Sequence, residues 1–454
     1  MVSQNAYANT LGTLLLTMRR KGISDVDVLC DAMHDLRQEQ LAEGIFSYDF
    51  FTKFGSDASS PMCVGLGQPP KECTIWSINH YLGLNRHPYV IEKVVEAVRN
   101  FGTGSGTSAM SGGTNSLHRT IEEKLRERLG KKGVMLFPTG YSANMGLLAA
   151  LCQADDHVFI DEESHASIRD GVRLSLARRA VFFQHNSISD LESKLAAAER
   201  QGRGKAIVVV EGAYSMSGDL CPLRDFVKLK DRYNFLLIVD EAHSFGLYGE
   251  VGRGLCHAEG VIEQIDVVTS TFSKATASLG GFVATHPKLI SYLQWTAASY
   301  GFQACFTPAD AAAVLASMEV IEREPGIAAE LHQKNQYMRN QLVQRGFDLR
   351  RSQSPIIPVY VNRTDKLLKI CFELFKAGVF SVPLTTPVVT ENEGRIRFIV
   401  NVRHTYDQID KTVSLLHQMA EQYDLFADRK HSSEWILSGQ IGAVSAADSV
   451  LPAR

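Results

Sequence analysis

Apolar positions along this chain alternate between two periods. Short runs apolar at nearly every position occur at Val134–Phe137, His157–Ile160, Ala180–Phe183, Ala206–Glu211, Phe235–Asp240, Asp266–Thr271 and Gly281–Thr285. Helix-period stretches separate most of them, for example Ala143–Gln153 and Ile188–Arg200. Continuous apolar runs fit strands covered on both faces, and the alternation predicts an α/β fold with a mainly parallel sheet of these seven strands. Glu324-Pro325-Gly326 is a break. Beyond it, helical Ala328–Gly346, Lys366–Ala377 and Tyr406–Tyr423 accompany strands Ile356–Val361 and Arg395–Val400, which suits a smaller α+β domain. Upstream, Asp25–Glu43 reads as a helix and Ser47–Lys71, rich in Gly, Ser and Pro, as a loop. The pattern divides the chain into an N-terminal accessory segment (1–75), a large domain (76–325), a small domain (326–426) and a tail (427–454) expected to be mobile.

Composition narrows the function classes. The 454 residues suffice for a large core, and a net charge of −3 provides no basic surface for nucleic acid. Eight scattered cysteines without C-x-x-C read as reduced thiols of a cytoplasmic protein. Fourteen histidines form no H-x-H or H-x-x-x-H pair, so no metal site is signalled. No apolar run approaches the roughly 20 residues of a membrane helix, and the start lacks a signal-peptide pattern.

The chemistry gathers at strand ends. Phe235–Val239 stops at Asp240, and Glu241-Ala242-His243 follow. The next strand runs into Thr271-Phe272-Ser273-Lys274-Ala275, with Gly280-Gly281 close behind. A lysine among hydroxyls and small residues suits a Schiff base with pyridoxal 5'-phosphate (PLP). A carboxylate ending an apolar strand needs a cationic partner, and a protonated pyridine nitrogen is one, so Asp240 takes that role. Thr271 and Ser273 can bind the phosphate. His243 reads as a hydrogen-bond partner of the cofactor's 3-oxygen or of the substrate, against a satisfied loop residue.

Pro138–Asn144 leads from a strand into a helix, and free N–H groups at Gly140 and Tyr141 make an anion site for the phosphate. A plain cap by Thr139 or Ser142 is compatible with that role. His165, in Ser164-His165-Ala166-Ser167, is left open between a structural histidine and a flat ring that stacks on the cofactor. Arg397 is preferred over Arg395 and Arg403 as the bidentate partner of an amino-acid carboxylate. Gly102–Thr107 lacks the G-K-[ST] ending of a P-loop and reads as an active-site loop.

The ordered set Asn79–Leu84, Gly140–Asn144, Ser164–Ser167, Glu211–Met216, Asp240–Gly246 and Thr271–Lys274 resembles the α-oxoamine synthase family over roughly residues 74–425. The likeness is nearest to its bacterial serine palmitoyltransferase group, through Tyr214-Ser215-Met216, Gly280-Gly281-Phe282-Val283 and Pro383-Leu384-Thr385-Thr386-Pro387. The resemblance implies a PLP-dependent transferase of fold type I, a homodimer with active sites at the subunit interface. It implies Lys274 as the Schiff-base lysine, Asp240 as the pyridinium partner and His165 stacked on the ring. His243 and Ser215 would contact the 3-oxygen, and Asn79 would lie near the acyl substrate. The implied reaction is decarboxylating condensation of a small amino acid (serine first, then alanine or glycine) with an acyl thioester of CoA or a carrier protein. Sphingolipid or secondary-metabolite biosynthesis are the pathways it suggests.

Two departures stand out. Ala109 occupies a place where the family usually has arginine, ahead of Gly113-Thr114, and Gln303 and Cys305 replace hydroxyl residues after Phe302. They bear on thioester recognition and phosphate binding. Other readings that the residues leave are an aminotransferase or lyase on the same fold, and a non-catalytic regulatory subunit. Segment 1–75 is a candidate contact for a partner, a membrane surface or a carrier protein.

Overall fold

The computed structural model describes residues 10–42, 50–64, 69–202, 204–361, 363–386, 388–389 and 393–426. The seven expected strands form one sheet. Its spatial order is Gly133–Phe137, Gly281–Thr285, Val267–Thr271, Phe235–Asp240, Ala206–Glu211, His157–Asp161, Arg179–Phe183. Gly281–Thr285 is antiparallel to both neighbours, and the remaining pairs are parallel. Every residue of the strands at 133–137, 157–161, 267–271 and 281–285 is buried, as their continuous apolar runs require. Arg179–Phe183 departs from that expectation. It is an edge strand with Arg179, Ala180 and Phe182 exposed, and a charged residue there discourages pairing with another chain.

Parallel strands bring Phe137, Asp161, Glu211, Asp240 and Thr271 to one edge of the sheet, where helix N-termini also arrive. The first of these helices starts at Gly140, three residues earlier than its apolar pattern suggests. Thr139 explains the shift. Its hydroxyl accepts from Ser142 N–H at 3.0 Å, and Ser142 Oγ in turn accepts from Thr139 N–H at 3.1 Å. This reciprocal cap overrides the turn propensity of Gly-Tyr-Ser.

The C-terminal domain has its own antiparallel sheet, ordered Ile356–Tyr360, Arg395–Ile399, Val382–Leu384, with helices Gly326–Gln344, Thr364–Lys376 and Tyr406–Gln422. The loop expected over Ser47–Lys71 is corrected in its described part. Phe50–Thr52, Ser59–Val64 and Lys71–Ile75 form a sheet that Val379–Phe380 completes. The partner strand lies some three hundred residues away along the chain, so local composition could not reveal the pairing. The tail 427–454 and Pro387 lie outside the described residues. Among the described residues no helix is long and apolar enough to cross a membrane.

His404 fastens the small domain to the end of the strand Lys71–Ile75 and to Trp76. It is 0% exposed and stacks on Trp76 with ring centroids 3.9 Å apart. Nδ1 accepts Asn401 N–H at 3.0 Å, so the neutral ring carries its proton on Nε2, which donates to the Ile75 carbonyl at 3.0 Å. Burial lowers its pKa to about 4, outweighing the bond to Ile75. An unfolded histidine takes up its proton near 6.5. The stabilisation is therefore complete above about pH 6.5 and falls as pH drops towards 4, by roughly 3 kcal/mol. Urea unfolding followed from about pH 7 to about pH 4 should show this loss, and His404→Gln should flatten the acid limb by a similar amount.

Candidate active site

Asp240 ends its strand 5% exposed, and both carboxylate oxygens are occupied. Oδ1 accepts Ala242 N–H at 2.8 Å, and Oδ2 accepts Asn144 Nδ2–H at 2.6 Å. The carboxylate fixes the orientation of the Asn144 amide, whose Oδ1 accepts from Thr269 Oγ1 at 2.7 Å. The same Nδ2 also donates to Ser167 Oγ at 3.0 Å. Glu211 sits directly across from Asp240 on the paired strand. Burial first, and then the Asp240 charge, push the Glu211 carboxyl well above its ordinary value.

Lys274 follows the neighbouring strand and is partly buried. Burial lowers its pKa, while the Asp240 and Glu211 carboxyls pull it back up and the Arg397 cation adds to the lowering. His243 is 4% exposed, and burial, Lys274 and Arg397 together drive it well below its usual pKa. Its Nδ1 lies 2.6 Å from the Tyr81 hydroxyl. Burial raises the Tyr81 pKa, so the phenol keeps its proton and donates, which leaves the His243 Nε2–H as a donor.

His165 caps the helix Ala166–Leu174, and its backbone N–H donates to Glu211 Oε1. Nδ1 accepts Ser167 N–H at 3.2 Å, which pins the ring while the residue stays exposed. Surrounding protein atoms partly desolvate the imidazole even though one face is open to solvent, and this lowers its pKa, with Asp240 opposing and Lys274 reinforcing the shift. The Tyr141 ring stands edge-on, 6.3 Å between centroids.

The three arginines in and after the small domain's middle strand separate cleanly. Arg395 is tied to Glu393 and Tyr360, and Arg403 to Asp57. Arg397 instead donates to the Ser215 carbonyl at 2.9 Å and has no carboxylate partner among the described residues. It is a cation in a largely buried position without a counter-ion, close enough to Lys274 and His243 to shift both. Ser215 is itself buried. Asn79 stands apart, joined to this group through its carbonyl, which accepts Tyr81 N–H.

A second cluster lies at the start of the helix Gly140–Leu151. Gly140 and Tyr141 are its first two residues, whose N–H groups have no partner within the helix. A Cβ on Gly140 would fall 2.6 Å from Thr271 Cβ, so only glycine brings this helix start onto Thr271. Thr271 Oγ1 meets Ser273 Oγ at 2.9 Å and donates to the Gly280 carbonyl at 3.1 Å.

Residues 71–416 match the family described as aminotransferase class I and II. The chain belongs to that family. It is 37% identical over 355 residues to serine palmitoyltransferase of Sphingobacterium spiritivorum, covering 78% of this chain and 88% of that protein. It is 38% identical to a putative 8-amino-7-oxononanoate synthase of Geobacillus kaustophilus, over 74% of this chain and 86% of that protein. Among solved structures, a serine palmitoyltransferase with PLP as internal aldimine superposes with a TM-score of 0.82 at 28% identity, covering 88% of this chain and 100% of that one. The resemblance to α-oxoamine synthases and the type I fold are thereby borne out.

PLP fits the donor set. The helix start with its two free N–H groups, beside two hydroxyls, matches a phosphate, and Lys274 and Asp240 belong to the same buried group. Reasoning from sequence passed over Tyr81, Asn144 and Glu211. Two of them carried a signal: Asn144 is a polar residue in an apolar helix, and Glu211 ends an apolar strand just as Asp240 does.

Asn144→Leu should cost about 1–3 kcal/mol by leaving Asp240 Oδ2 without its donor, and should weaken PLP retention. Denaturant unfolding and cofactor content after dialysis test this. A variant that keeps both would show that the amide does not support Asp240.

Proposed function

We propose that this chain catalyses the PLP-dependent, decarboxylating condensation of a small amino acid with an acyl thioester. The products are an α-amino ketone, carbon dioxide and a free thiol. Serine is the first amino acid, then alanine or glycine, and palmitoyl-CoA is the first thioester to try. The observation that carries the reading is the unpaired guanidinium of Arg397 beside Lys274 and His243, a receptor for one carboxylate next to a lysine of lowered pKa.

PLP, when bound, supplies the electron sink that stabilises negative charge at the amino acid's Cα. Lys274 holds the cofactor and, as an amine of lowered pKa, gives and takes the Cα proton. Asp240, braced by Asn144 and Ala242, holds the proton on the pyridine nitrogen. Gly140 and Tyr141 N–H with Thr271 and Ser273 bind the phosphate, and the exposed ring of His165 covers the pyridine face. His243 Nε2–H and Ser215 serve the 3-oxygen. Arg397 orients the substrate carboxylate. Asn79, whose buried Oδ1 has no partner among the described residues, is assigned to the acyl substrate.

The same proposal includes a cytoplasmic homodimer. Phe302 is 94% exposed, and the exposed Met110 lies against Gly301 beside it, an apolar patch that a second copy would cover; Trp295 is 82% exposed as well. Ala109, Gln303 and Cys305, where the chain departs from its family, line one pocket beside this surface. A contact from the second subunit would complete it.

The purified protein should show visible absorbance from bound PLP that shifts with serine. Serine plus palmitoyl-CoA should release thiol and carbon dioxide in equal amounts, and Lys274→Ala should cut turnover on the order of 10³-fold. An oxo acid or pyruvate without thiol release would overturn the condensation reading in favour of an aminotransferase or lyase. Separately, Phe302→Glu should convert a dimer to a monomer in sedimentation, and an unchanged sedimentation coefficient would place the subunit contact elsewhere.

A further inference from the structure

A second group of ionisable residues includes neither Lys274 nor its direct neighbours Asp240, His243 and Arg397. Asp161, the last residue of its strand, is 0% exposed, and Asp219 is 5% exposed. His185 sits between them, with Nδ1 2.9 Å from Asp161 Oδ1 and Nε2 2.6 Å from Asp219 Oδ2. Ionised carboxylates only accept, so both ring nitrogens carry hydrogen and the ring is an imidazolium. Burial opposes that charge, but the two carboxylates prevail and the pKa rises to about 11. Asn186 doubles the link. Its N–H donates to Asp161 Oδ2 at 2.8 Å and its Nδ2–H to Asp219 Oδ2 at 2.8 Å. Glu163 also brings a carboxylate near His185 and Asp219. A ring with both nitrogens protonated offers no lone pair, so the arrangement suits a salt-bridged joint and not a metal site.

The joint connects parts that the reaction needs aligned. Asp161 precedes the turn that carries His165. Asp219 closes the loop 214–219, with Tyr214 N–H donating to the Asp219 carbonyl at 3.0 Å. That loop supplies the Ser215 carbonyl to Arg397 and the Gly218 carbonyl to Ser354 Oγ at 2.7 Å in the small domain. A Cβ on Gly218 would fall 2.3 Å from the Ile356 carbonyl, so loop and small domain are in close contact.

We propose that His185 is a positioning residue: clasped between Asp161 and Asp219, it holds the 214–219 loop against the large sheet and so fixes the Ser215 carbonyl that aims Arg397. The proposal rests on the reading of Arg397 as the group that binds the amino-acid carboxylate.

The test uses the holoenzyme with serine and palmitoyl-CoA. His185→Gln should raise the KM for serine about tenfold, leave the KM for palmitoyl-CoA within about twofold, and add nothing further once Arg397→Ala is present. Should His185→Gln not yield holoenzyme, the same measurements on Asp219→Asn, which keeps the side-chain volume, decide the question with the same expectations. An equal rise in both KM values, or a full further rise on top of Arg397→Ala, means general loosening and overturns the proposal. An unchanged serine KM in His185→Gln overturns the clasp alone. An unchanged serine KM in Arg397→Ala is a different result, because it removes the carboxylate reading beneath it.

Discussion

Two carboxyl groups directly opposite one another on paired strands cannot both carry charge cheaply. Asp240 and Glu211 stand in that relation at the C-terminal edge of the large sheet. Much of the site follows from how the conflict is resolved. Asp240 receives two donors, from Asn144 and Ala242, whereas Glu211 takes only the backbone N–H of His165 and is pushed towards its neutral form. One carboxylate is thereby braced by donors and the other is pushed towards protonation. The same bond from His165 to Glu211 anchors the residue that caps the helix Ala166–Leu174, so the His165 ring is placed by a contact to this carboxyl pair.

Basic groups meet the complementary constraint. Lys274, His243 and Arg397 lie close together in a desolvated region: Arg397 lowers the proton affinity of Lys274 and His243, and Lys274 lowers that of His243. The outcome is graded by intrinsic basicity. His243 loses its proton, Lys274 is moved towards neutrality, and Arg397 keeps its charge. This grading gives one donor, one proton acceptor and one fixed cation from three basic side chains.

The large sheet was legible because its strands, apart from the edge strand Arg179–Phe183, are buried on both faces, and several end in chemistry-bearing residues. Lys274 and Asp240 could be read as a pair for the same reason: each terminates or follows an apolar strand. The choice of Arg397 over Arg395 could not be derived from spacing, since alternate strand residues share a face. What separates them is that Glu393 and Tyr360 occupy Arg395, a contact that depends on the packing of a strand and its loop. Tyr81 was hidden likewise, because its hydroxyl reaches His243 across 162 residues of chain. The strands between Phe50 and Ile75 were unreadable because their sheet closes only with Val379–Phe380.

Arg397 shows why the small domain must be held so firmly. A cation in this position without a counter-ion is unfavourable by itself, and only a neutral carbonyl, that of Ser215, takes a strong hydrogen bond from it. Such a side chain would turn towards any nearby carboxylate if the backbone allowed. Both flanking residues of its strand are fully buried, and Ser381 Oγ bonds the Arg397 carbonyl at 2.8 Å, so the backbone does not yield. The cost of leaving the guanidinium without a counter-ion is borne by packing elsewhere in the domain, and in the proposed reaction the amino-acid carboxylate is what would recover it. On that proposal, substrate binding and the rigidity of the strand that carries Arg397 are one property.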